Sequence, residues 1–198
     1  MNAPVSINAQ QRGSSLSNEP SIRPVPDRSP LHLVTTQGQV QIHTSRFRGS
    51  FSIVLSEALR SAGLGSKVLI SQFLRGGVHQ GPNGAINLCG RLEWIRPAIE
   101  TCSPDQLEKE DLSLKRKYAE KAIKELWEFC KTRLIQKKLD KLVLDEIGMA
   151  ISLGFIKEND LISMINNRPT STDIILTGSS IPPKVIEMAD QITELRSN

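Results

Sequence analysis

Two segments carry residue types suited to gripping a polyphosphate and a divalent cation. The first is Thr44-Ser45-Arg46-Phe47-Arg48-Gly49-Ser50-Phe51-Ser52. It falls between an expected first strand at 40–43 and an expected first helix at 51–62. A helix N-terminus in that position presents unpaired N–H groups and a positive dipole end, both of which favour phosphate. Arg46 and Arg48 add guanidinium forks that match phosphate oxygens, or else they are solvated loop charges. Gly49, Ser50 and Ser52 complete the anion-contacting set. The second segment is Asp145-Glu146, which closes the apolar run Leu142-Val143-Leu144. Acids at that point of a nucleotide-binding sheet hold Mg²⁺ directly or through water, or orient a water. The plainer alternative is a turn or N-cap pair. The first segment does not match the G-x-x-x-x-G-K-[ST] pattern of a standard phosphate-binding loop.

These residues need a scaffold that brings strand ends together, and the chain reads as one. Apolar runs at 68–73, 92–95, 142–146, 173–177 and 192–195 join 40–43 as six short strands. Helices are expected at 51–62, 118–136, 147–153, 158–166 and 182–189. The first ends at the glycine signal Gly63-Leu64-Gly65 and the last opens on Pro182-Pro183. The glycine-rich stretch 75–90 reads as a loop. Strands alternating with helices give an α/β fold with a doubly wound, mostly parallel sheet and helices on both faces. Residues 1–37 read as a flexible tail, because prolines punctuate a stretch poor in apolar side chains. Residues 38–198 form the expected α/β domain.

Composition narrows the function. The chain has 198 residues, 38% of them hydrophobic, and a formal net charge of +4. Its basic excess gathers at Lys131, Arg133, Lys137, Lys138 and Lys141 without interleaved aromatics, so it reads as a solvated face and nucleic-acid binding is not expected. No apolar run is long enough to span a membrane. Residues 1–10 have neither a basic start nor an apolar signal core. Three scattered cysteines suggest neither a disulfide framework nor a zinc site, and a cytoplasmic location is expected. Cys130 falls on the apolar stripe of the longest helix and reads as core.

Several further pieces stand in order along the chain: Gln72-Phe73-Leu74-Arg75-Gly76, Pro82-Asn83-Gly84 followed by Asn87-Leu88, Val143-Leu144-Asp145-Glu146, Arg168-Pro169, Leu176-Thr177-Gly178, and Ala189-Asp190 with Glu194-Leu195-Arg196. With them the sequence resembles the bacterial corrinoid (cob(I)alamin or cobinamide) adenosyltransferases over roughly residues 38–196. It also resembles a cyanobacterial group of proteins with a non-standard loop and a Gly-Gly-x-x-Gln-Gly-Pro segment like 76–82. The resemblance implies a P-loop NTPase (RecA-like) architecture. It implies transfer of the 5′-deoxyadenosyl group of ATP to the reduced cobalt of a corrinoid, with Mg²⁺ on the phosphates. It adds Gln72, Asn83 and Asn87 to the ligand-binding candidates and marks Asp145 and Glu146 as the metal pair. It leaves a homodimer open.

The same resemblance exposes departures. The family loop Gly-Asn-Gly-Lys-Gly-Lys-Thr-Thr stands against residues 45–52. Its phosphate-gripping lysine is Ser50 here, and its Mg²⁺-binding threonine is Phe51, with Ser52 one place late. Only Gly49 keeps its type. The aromatic stretch after the third expected strand reads Arg96-Pro97-Ala98-Ile99-Glu100-Thr101, and the arginine after Leu-Thr-Gly is Ser179. Two readings stand side by side: an adenosyltransferase with an unusual loop, and a non-catalytic relative that binds a protein partner or another anionic small molecule. An NTPase of another kind ranks last, since no loop lysine is present.

Overall fold

The computed structural model describes residues 37–45, 51–76, 80–99, 113–136 and 139–195. The sheet belongs to a compact unit spanning Thr35–Asn198. Arg46, Arg48, Gly49 and Ser50 lie outside the described residues, as do Gly77, Lys137, Lys138, Arg196, the expected tail over 1–36 and the stretch 100–112.

The described strands are β1 (Val40–Ser45), β2 (Val68–Gln72), β3 (Ile86–Leu88), β4 (Leu92–Ile95), β5 (Lys141–Asp145), β6 (Asp173–Gly178) and β7 (Gln191–Leu195). They form one sheet in the order β3-β4-β2-β5-β6-β1-β7. Neighbours from β4 through β7 run parallel. The exception is β3, antiparallel to β4.

β3 corrects the sequence reading, which placed it inside a loop. Its three residues alternate over too short a span to show a period, and two of them are exposed. A tight connection makes it: Cys89 and Gly90 both take positive φ, 52° and 68°, a backbone that turns the chain straight back onto β4. The sheet therefore has seven strands rather than six among the described residues.

The helices are α1 (Ser52–Gly63), α2 (Ser113–Gln136), α3 (Ile147–Ser152), α4 (Glu158–Asn166) and α5 (Pro183–Ile186). α2 begins earlier than the apolar spacing suggested, and α5 ends sooner. α1 lays Val54, Ala58 and Ala62, one residue per turn, on Val68, Ile70, Val143 and Ile175, the narrow stripe of a helix resting on a sheet. Ile53, expected on that stripe, is 54% exposed. The opposite face of the sheet packs Leu69, Leu142, Leu144, Ile174 and Leu176 against α2, α3, α4 and α5 through Ile123, Leu126, Ile147, Ala150, Leu161, Ile165 and Val185. Helices thus cover both faces, as an almost wholly parallel sheet requires.

Cys130 lies in that second core, fully buried. Burial pushes its thiol up to about 12, so it stays protonated and unreactive at neutral pH. The described members of the basic run are paired with acids: Lys131 with Glu128 at 2.6 Å, Arg133 with Glu93 at 2.8 Å and Lys141 with Asp173 at 3.3 Å.

Candidate functional site

In a parallel sheet, residues in register on neighbouring strands point to the same face. At the carboxyl ends of the strands, on the face that α1 covers, this rule produces a row of polar side chains. Gln72 of β2 stands in register with Asp145 of β5. His43 of β1 stands in register with Thr177 of β6 on one side and Thr193 of β7 on the other. Arg96 follows the last paired residue of β4, Ile95, which faces Ser71, and so falls beside Gln72.

Hydrogen bonds join most of this row. Trp94 Nε1 donates to Gln72 Oε1 at 3.0 Å, and Arg96 Nε donates to the same oxygen at 2.7 Å. Neither group can accept, so the Gln72 amide has a single satisfactory orientation: oxygen toward β4, nitrogen toward β5. Its Nε2 then donates to Asp145 Oδ2 at 2.7 Å. The Thr177 hydroxyl donates to Asp145 Oδ1 at 2.7 Å and accepts from the Glu146 backbone N–H at 2.9 Å. Asp145 is 3% exposed. A carboxylate so buried is stable only when its oxygens are met by donors, and both are.

The backbone beside Asp145 is shaped for close approach. Glu146 adopts the left-handed region, φ 60° and ψ 28°, at the N-cap of α3, a conformation a non-glycine residue takes only where its surroundings hold it. Gly178 takes φ 144°, a backbone that strains any other residue, and a β-carbon there would sit tightly, 3.2 Å from the Gly148 nitrogen. A β-carbon on Gly148 would in turn meet Ile181 Cδ1 and the Ser180 carbonyl carbon at 2.8 Å. These two glycines let the end of β6 and its following loop lie directly on the start of α3.

The structure separates the sequence-derived candidates into groups. Gln72 and Asp145 are in direct contact, with Glu146 joined to them through Thr177. Gln72, 1% exposed, has its carbonyl oxygen filled twice and one N–H committed, so its visible part is to hold Asp145. Ser52 opens α1 and is exposed, and the N-cap residue Phe51 supplies no side-chain hydrogen bond to the helix start; helix-terminal N–H groups of this kind are suited to an anion or to water. Phe51, in contrast, is 3% exposed and packs with Val54 and Val68 in the core under α1. Asn83 is exposed and, with Pro82, borders a groove of about 800 Å³ along α2. Asn87 is exposed on β3 opposite Glu93, beside a groove lined by Val68 and Leu92, the first residues of β2 and β4. No hydrogen bond links either asparagine to Gln72 or Asp145 among the described residues.

Trp94, Arg96 and Thr177 belong to this cluster without having been assigned a role from sequence. The alternation of β4 was enough to put Trp94 and Arg96 on one face. What it could not supply is which strand lies beside β4. Burial pushes the Arg96 guanidinium below its ordinary value, the nearby charge of Arg75 adds to that, and Asp145 opposes both. The Arg96 guanidinium also lies 5.4 Å from the centroid of the Trp94 ring, within cation–π range. His43, at the β1 position of the row, is 9% exposed and its Nδ1 is buried without a hydrogen-bond partner among the described residues.

The donor set for Mg²⁺ is thin. Each Asp145 oxygen accepts one hydrogen bond and, as a carboxylate oxygen, has capacity for a second partner. No group of three or more His, Cys, Asp or Glu side chains is placed to hold a metal among the described residues. Where a hydroxyl ligand is expected at the start of α1, Phe51 puts a ring into the core. Asp145 and Glu146 are thus the acids among the described residues that would face an ion carried in on a ligand's phosphates.

Comparison with known proteins agrees with this fold. The family model described as ATP:corrinoid adenosyltransferase BtuR/CobO/CobP matches residues 36–198. The chain is 26% identical over 162 residues to the corrinoid adenosyltransferase of Escherichia coli K12, covering 81% of this chain and 77% of that one. Identity and coverage are the same for the corrinoid adenosyltransferase CobA of Salmonella typhimurium LT2. A Nostoc protein named only as uncharacterized is 25% identical over 173 residues, 80% of this chain and 44% of its own length. The cyanobacterial likeness is therefore no higher in identity than the enterobacterial one. The chain belongs to the ATP:corrinoid adenosyltransferase family.

Proposed function

We propose that this member of the corrinoid adenosyltransferase family has weakened or lost ATP-dependent adenosyl transfer while keeping the fold and the acid centre of the family. The observation that carries the reading is the burial of Phe51, 3% exposed in the core beneath α1. In the family a Mg²⁺-binding threonine stands there, preceded by the lysine that grips phosphate; here the pair is Ser50-Phe51. A side chain packed into the core is not available as a ligand. Losing one charged contact to a triphosphate costs about 2–5 kcal/mol, and losing the metal ligand adds to it, so ATP affinity falls by several orders of magnitude.

What remains of the site is assigned as follows. Arg46, Arg48, Gly49, Ser50 and Ser52 are the residues proposed to contact an anion. Asp145 and Glu146 are the acids for Mg²⁺ carried in on phosphates, and Gln72 orients Asp145. The family reaction needs ATP and a corrinoid positioned together, with cobalt as the nucleophile, so the protein's part is placement and charge screening. A turn that no longer fixes the triphosphate cannot supply that placement. The alternative reading, a module that binds a protein partner or another anionic molecule, draws on the intact hydrogen-bonded row around Asp145. No helix among the described residues is long and apolar enough to cross a membrane.

Incubation with ATP, Mg²⁺ and chemically reduced cobalamin, followed by absorbance, tests the reading. It predicts an adenosyl–cobalt spectrum that is absent or forms far more slowly than with the Escherichia coli relative. Turnover comparable with the Escherichia coli relative run in parallel contradicts it.

A further inference from the structure

The row of polar side chains ends on the β4 side in a charge, Arg96, for which the described residues supply no ion-pair partner. Arg96 and Asp145 are the charged members nearest that end, yet they form no ion pair: Gln72 stands between them, accepting from Arg96 Nε at 2.7 Å and donating to Asp145 Oδ2 at 2.7 Å. Asp145 is satisfied on its other oxygen by Thr177. The acid is thus met by neutral donors, and among the described residues the guanidinium donates through its Nε. No acceptor meets the two Nη groups of Arg96 among the described residues. Arg75, exposed and three residues beyond the end of β2, follows the strand that pairs with β4, so it puts a second positive charge at the same carboxyl edge of the sheet; that charge helps to lower the Arg96 value.

We propose that Arg75 and Arg96 form a binding site for a phosphate group at the carboxyl ends of β2 and β4, separate from the turn after β1. Three features favour a ligand over two idle charges. First, Arg96 is already fixed, by its bond to Gln72 and by the Trp94 ring at 5.4 Å. A guanidinium held in place loses little side-chain freedom when an anion arrives. Its Nη pair is the part of the fork that suits a phosphate oxygen pair. Second, two like charges held near each other repel, and a shared anion removes that cost. Two guanidinium groups match a phosphate dianion better than a carboxylate, which carries a single charge. Third, the site lies outside the carboxyl ends of parallel strands, where open α/β sheets bind their ligands. The inference goes beyond the weakened adenosyl transfer proposed above and holds whether or not Mg-ATP binds at the β1 turn.

The test is calorimetric titration of the full chain with inorganic pyrophosphate, free of Mg²⁺, beside an acetate titration at equal ionic strength. Saturable binding of pyrophosphate and none of acetate is expected. Arg75→Gln, an exposed change that leaves the core alone, should weaken pyrophosphate binding at least tenfold. Arg96→Lys keeps the charge but loses the fork and the bond to Gln72, and should do the same. Lys121→Gln, which removes one exposed charge on α2, should leave binding unchanged. Wild-type affinity in Arg75→Gln overturns the site. So does equal loss in Lys121→Gln, which marks a diffuse charge effect. Binding abolished by Arg46→Gln with Arg48→Gln, yet intact in the Arg75 and Arg96 variants, places the anion in the turn and overturns it as well.

Discussion

Gln72 Nε2 donates to Asp145 Oδ2 at 2.7 Å across 73 positions of sequence. The direction of that bond is set from the other side, by Trp94 and Arg96, which can only donate to the Gln72 oxygen. Asp145 is therefore held by an amide whose own orientation is locked by β4.

Replacing Gln72 tests that arrangement. Gln72→Leu removes one donor from Asp145 and leaves the Trp94 and Arg96 donors facing an apolar side chain. Each buried polar group left unsatisfied costs about 1–3 kcal/mol. Denaturant unfolding of Gln72→Leu should show the midpoint falling accordingly. Thr177→Val, which strips the other Asp145 oxygen and the partner of the Glu146 N–H, should act in the same direction. Because both changes act on one carboxylate, the double variant should depart from additivity.

Two glycines give opposite expectations. A β-carbon on Gly38 would lie 2.3 Å from the Thr172 carbonyl carbon and oxygen. Backbone atoms cannot yield as a flexible side chain can, so Gly38→Ala should be strongly destabilising through strain. Gly63 closes α1, and a β-carbon there meets nothing within 4 Å. Gly63→Ala should stabilise by about 0.5–1 kcal/mol, the ordinary helix preference for alanine. Thermal melts of the two variants against the parent check both signs.

His43 predicts a pH dependence. Burial lowers its pKa from 6.5, with Glu57 pulling the other way. A histidine with a depressed folded value resists protonation more in the folded chain than in the unfolded one. Below the unfolded value near 6.5 the unfolded state takes up the proton first, so stability is full above that pH and declines as pH falls toward the folded value. His43→Gln should flatten this decline in denaturation midpoints measured from pH 7.5 down to about 5. An unchanged slope would show that other groups carry it.

Much of this molecule was legible in its residues. The helix 158–166 and the strand at 92–95 could be bounded because each has a clear period and a clear stop. β3 could not, since three half-exposed residues beside glycines carry no period. The Asp145 centre was visible as an acid at the end of an apolar strand. The partners of Asp145 were not, because strand order decides them: β2 and β6 flank β5, although both lie far from it along the chain. Phe51 shows the converse. Its sequence position suggested a lost metal ligand, and its burial gives the reason that restoring one is costly. Phe51→Thr empties core volume, and large-to-small changes of this kind cost several kcal/mol. Ser50→Lys alone is thus the cleaner way to ask whether the turn still accepts phosphate.

The central claim is that the turn after β1 no longer fixes a triphosphate, and calorimetric titration of the full chain with Mg-ATP tests it most directly. The account predicts no saturable binding tighter than about 1 mM, which corresponds to roughly −4 kcal/mol, and a gain in affinity on Ser50→Lys. A wild-type dissociation constant in the low micromolar range, dependent on Mg²⁺, contradicts it.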